Sequence, residues 1–96
     1  MGHYITSNLS DTDFLERGAF NPLNTVIYES LNCRDPHYNY WSGLGTSQIF
    51  TLEEIEKALK FCQSYDGDTS PEIRFLSSSI NRMKKGSHSV IILEFC

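Results

Sequence analysis

Hydrophobic and polar positions alternate most legibly in the second half of the chain. Leu52, Ile55, Leu59 and Cys62 recur at helical spacing, and Ala58, Phe61 and Tyr65 widen that stripe, which predicts an amphipathic helix over 52–65. Thr51 with Glu54 three residues on is a capping box, and Glu53 and Glu56 stand where they can pair with Lys57 and Lys60. Asp66-Gly67-Asp68-Thr69 reads as a turn, after which a second helix is expected. Ser70 fits its N-cap, Pro71 its first position and Glu72 its first turn. Ile73, Leu76, Ile80 and Met83 share one face, Lys84 and Lys85 meet the negative end, and Gly86 fits the C′ position.

A period of two is harder to find, because the apolar residues of the last segment are consecutive. Val90-Ile91-Ile92-Leu93 sits inside a β-branched run from Ser89 to Phe95 and predicts a strand that is covered on both faces or central in its sheet. Upstream, His37 to Trp41 and Thr46 to Phe50 flank Ser42-Gly43-Leu44-Gly45, a connection of β-hairpin type. His3 to Thr6 reads as an edge strand, and Ser10 with Asp13 as the cap of a short helix ending near Gly18. Leu23 to Leu31 has helical spacing after Asn21-Pro22 and is read as helix against the strand preference of Thr25 to Tyr28.

These elements make an α+β fold: a small, mostly antiparallel sheet with two or three helices packed on it, as a single domain over residues 1–96. The expected core is Leu52, Ile55, Leu59, Phe61, Ile73, Leu76, Ile80, Val90, Ile92 and Phe95.

Composition narrows the class. With 40% hydrophobic and 21% charged residues the chain falls in the globular range. Cys33, Cys62 and Cys96 are odd in number and lack a disulfide framework's spacing, so a reducing, cytoplasmic compartment is expected. No signal peptide, membrane span or C-terminal lipid motif is read, and no membrane partner is expected. The net charge of −4 disfavours nucleic acid, and the acid excess lies in residues 1–48, with five acids against two bases.

Candidate chemistry is sparse. Asp66-Gly67-Asp68-Thr69 carries two carboxylates, as an aspartyl-phosphate loop would, but no apolar strand precedes it. As a calcium loop it has Pro71 where Gly is required and Ser77 where a bidentate Glu is required. His3, His37 and His88 could serve as acid and base, with Arg82, Lys84 or Lys85 on a phosphate, yet nothing in the spacing groups them. Cys33 and His37 form only half of a zinc pattern, Cys62 reads as a buried hydrophobe, and Cys33 beside Arg34 is the candidate reactive thiol. No metal or cofactor is expected.

Aromatic residues interleaved with polar ones, together with the acidic charge, point instead to protein binding. Tyr38, Tyr40 and Trp41 are the expected anchors, with Asp35, Asp66 and Asp68 as the acidic contribution. The reading is a non-catalytic module that neutralises a basic protein such as a nuclease toxin. In size, charge and compartment the chain is similar in general character to bacterial immunity proteins and antitoxins. Two alternatives stand beside it: a small hydrolase or nuclease using His37 or His88 with Cys33, and a structural subunit of a homodimer sealed by exposed aromatics.

Overall fold

In a computed structural model, residues 3–17, 23, 26–31 and 46–95 are described. They form β1 (His3–Ser7), β2 (Ser10–Arg17), α1 (Val26–Ser30), β3 (Thr46–Thr51), α2 (Leu52–Ser64), α3 (Ser70–Lys85) and β4 (Val90–Phe95). The strands make one antiparallel sheet in the order β2-β1-β4-β3, and the chain is α+β. Helix residues Val26, Ile27, Ile55, Ala58, Phe75, Leu76 and Met83 share a buried cluster with strand residues Ile5, Leu15, Phe50, Ile91, Leu93 and Phe95.

Local chemistry explains the helix limits. The Thr51 hydroxyl accepts from the Glu54 amide at 3.2 Å while the Thr51 amide donates to Glu54 Oε1 at 2.9 Å, so the expected capping box starts α2. The N-cap of α3 is Thr69 rather than Ser70. The Thr69 hydroxyl is turned inward to donate to the Cys62 carbonyl at 2.6 Å, and Asp68 Oδ1 accepts from the Ser70 amide instead. At the other end Gly86 has φ −92°, and the positive φ of 56° falls on Ser87. His88 N–H donates to the Met83 carbonyl and Ser87 N–H to that of Lys84, which makes a Schellman closure. At Gly86 itself a Cβ would stand 2.5 Å from the ring of the exposed His88, which would have to swing aside. Glu53 pairs with Lys57 as expected, but Glu56 reaches across to Lys84 on α3.

Three expectations change in the sheet. The 10–17 segment is a strand, although Ser10 Oγ does accept from the Thr12 and Asp13 amides as a cap would. That local motif spans the irregularity in β2, where the pairing with β1 passes from Ser7↔Ser10 to Thr6↔Phe14, and Leu15 packs into the core from an extended backbone. β1 is an inner strand because β4 lies beside it, and the edge falls to β2. β4 is central as expected, but only one of its faces is covered: Ile91, Leu93 and Phe95 are buried, whereas Val90 and Ile92, placed in the expected core, are exposed. Phe61 is also exposed, and Leu52, Leu59 and Ile73 are half-buried. The expected hairpin's first arm and turn lie outside the described residues; its second arm is β3, which pairs with β4.

Candidate functional site

With α1, α2 and α3 on one side of the sheet, the opposite side has no covering layer among the described residues. Strand alternation sends Phe14 and Glu16 of β2, Tyr4 and Thr6 of β1, Val90, Ile92 and Glu94 of β4, and Ser47, Ile49 and Thr51 of β3 to this face. Tyr4, Phe14, Ile49, Val90 and Ile92 are five of the six large hydrophobics that the described residues expose, with Phe14 at 55% and Ile49 at 60%. Four strands about 4.8 Å apart and six residues long at about 3.4 Å each give a face of roughly 400 Å².

The face is organised in rows. Ile92 lies opposite Ile49 and Val90 opposite Thr51, so one apolar cluster spans β4 and β3. A second is built on β2 and β1, where the Tyr4 and Phe14 rings stack with centroids 5.4 Å apart. Thr6 and Glu94, directly paired, lie between them. Glu16 is paired in register with Tyr4. Both ionisable side chains that the described strands put here, apart from Tyr4, are therefore carboxylates. Lys57, Lys60, Arg74, Arg82, Lys84 and Lys85 are all on α2 and α3.

The edge beside this face is fastened by charge. Arg17 points inward from β2 and grips Glu72 with two bonds, Nε to Oε2 at 2.8 Å and Nη2 to Oε1 at 2.6 Å, while Nη2 also donates to the Asp68 carbonyl. The Glu72 side chain is fully buried, and its partnership raises the guanidinium pKa further. Farther along, Asp13 accepts from Arg82 Nε at 2.7 Å and from the Ser78 hydroxyl. The Arg82 bond first, and then the Ser78 bond, holds its carboxyl below the ordinary range against an opposing effect of burial. A carboxylate so stabilised is a weak base, and its office is to hold β2 on α3. Between the two clasps lies an open groove of about 560 Å³ lined by Leu15, Glu16, Pro71, Arg74 and Phe75 among others. Inward-pointing Asp13 and Arg17 also guard the β2 edge against pairing with a further strand, which favours recognition through the face.

Of the sequence-derived contact residues, only Asp66 and Asp68 are among those described. Tyr38, Tyr40, Trp41 and Asp35 lie outside the described residues, as do Cys33 and His37. Asp66 and Asp68 are in the α2–α3 turn, not on the open face. Asp68 accepts from the Ser70 hydroxyl at 2.6 Å and from its amide, and these bonds lower its pKa. His88 is exposed in the turn after α3, and β1, opened by His3, meets β4 at its far end, so about nine residue steps, roughly 30 Å, separate those positions along the sheet. Cys62 is buried, and burial pushes its thiol pKa up, as suits an inert core cysteine. Among the described residues no three His, Cys, Asp or Glu converge as metal ligands would, and no helix is long and apolar enough to cross a membrane.

Tyr4, Phe14, Glu16, Ile49, Val90 and Ile92 are the residues that sequence reasoning missed as a surface. A signal was present: four consecutive apolar residues in β4, with only enough predicted helix to cover one side of a sheet. No family model, curated protein or solved structure matches this chain.

Proposed function

We propose that the protein is a non-catalytic binding module that docks a basic protein on the open face of its sheet. The observation that carries this reading is the gathering of five exposed hydrophobics on one side of the sheet. A face of roughly 400 Å² is about half of one side of a standard protein interface, so a rim must contribute the rest. Carboxylates on the face and a net charge of −4 select a partner with Lys or Arg around an apolar centre. They disfavour a second copy of this chain, because a two-fold interface would set like charges against each other. Neutralisation of a basic toxin or nuclease by occlusion is the role that fits this chemistry.

The test is affinity capture from native extract at low and high salt, with wild type and an Ile49→Thr/Ile92→Thr variant. The reading expects one basic protein held by wild type, lost by the variant, and associating more slowly as salt rises. Recovery of the chain alone, with concentration-dependent mass, would replace it with self-association.

A further inference from the structure

We propose that Tyr4, Phe14 and Glu16 form a receptor for one arginine side chain of the docking protein, an inference that rests on the open face being the binding surface. The three side chains are neighbours by register: Glu16 stands directly opposite Tyr4, and Phe14 precedes Glu16 by two residues on the same face. The Tyr4 and Phe14 rings are stacked at 5.4 Å with 22° between their planes, which leaves the outer face of the stack to a further planar group. Phe14 is 55% exposed and Tyr4 37%, so a ligand can reach that surface from solvent.

Glu16 is also exposed, and no ion pair within the described residues engages it. On the same strand, Asp13 is already held by Arg82 and Ser78 and points to α3. Arg74 lines the same groove as Phe14 and Glu16 but makes no ion pair with Glu16, so the carboxylate is open to an incoming cation. An aromatic surface beside a carboxylate matches a guanidinium better than an ammonium. The planar group stacks on the rings while its N–H donors reach both carboxylate oxygens, whereas a lysine supplies a compact, strongly hydrated charge.

The probe is an acetylated tetra-arginine peptide, with tetra-lysine as control, titrated into isotope-labelled protein at low salt and followed by NMR. Shifts should centre on Tyr4, Phe14 and Glu16, and arginine should bind several-fold more tightly than lysine. Glu16→Gln should weaken the arginine peptide about tenfold. Phe14→Leu, which keeps apolar bulk, should erase the preference for arginine. Equal affinities for the two peptides, shifts centred on Asp66 and Asp68, or an unchanged Glu16→Gln variant would overturn the receptor. The docking reading fails separately: if the Ile49→Thr/Ile92→Thr variant still captures the partner while tetra-arginine binds as expected, the receptor stands and the docking face does not. If that variant loses the partner but Glu16→Gln keeps it at full affinity, the receptor is overturned and the face stands.

Discussion

The two faces of this sheet are made of nearly the same residue types and differ in what lies against them. Ile5, Leu15, Phe50, Ile91, Leu93 and Phe95 face the helices and are buried to 5% exposure or less, while Tyr4, Phe14, Ile49, Val90 and Ile92 face outward at 37% or more. Burial, not hydrophobicity, therefore separates the part of the sheet that holds the fold from the part available to a partner. A substitution on the first face costs transfer energy and leaves a cavity; one on the second alters a surface.

The comparison breaks most visibly in stability. Phe95→Ala, which empties a fully buried site in contact with Tyr28 and Phe50, should cost about 3–5 kcal/mol in urea unfolding, whereas Ile92→Thr should cost about 1 kcal/mol or less. Equal losses would mean that the outer face is structural too. Next in size is the Arg17–Glu72 clasp, whose carboxylate is fully buried. Glu72→Gln should destabilise by about 3 kcal/mol, and the double variant Arg17→Met/Glu72→Met should recover most of it, since a buried pair costs more to break than to replace.

Asp13 sharpens the contrast through pH. Its folded-state pKa is depressed, chiefly by Arg82, so its contribution is fully present above the unfolded value of about 4 and is lost as pH falls through the lower folded value. Urea midpoints should therefore fall more steeply below about pH 4 for wild type than for Asp13→Asn. At neutral pH the variant should be weaker by about 1 kcal/mol. The smallest effect is expected at the end of α3. Ser87→Gly should raise stability by about 0.5–1 kcal/mol, because Ser87 holds φ 56° where glycine pays no steric cost.

Signals confined to a few neighbouring residues were legible in the sequence. The Thr51–Glu54 box, the apolar stripes of α2 and α3 and the β-branched run of β4 all produced the elements they predict. Side assignment was not legible in β4, because consecutive apolar residues carry no period and a shift of one residue exchanges the faces. Ser10 misled because its hydroxyl makes the same amide contacts at a turn as at a helix cap, and only Leu15's distant partners decide between them. The Tyr4–Phe14–Glu16 cluster was invisible for a related reason: it exists only through the β1–β2 register. Asp66 and Asp68, read as contact residues, stand in the turn between α2 and α3, where Asp68 accepts bonds from Ser70.

Whether the outer face binds while the inner face folds is tested most directly by one paired measurement on the Ile49→Thr/Ile92→Thr variant: its urea midpoint and its capture of the basic partner. The account predicts a midpoint close to wild type with the partner lost. A variant that unfolds, or one that folds and retains the partner at wild-type affinity, would contradict it.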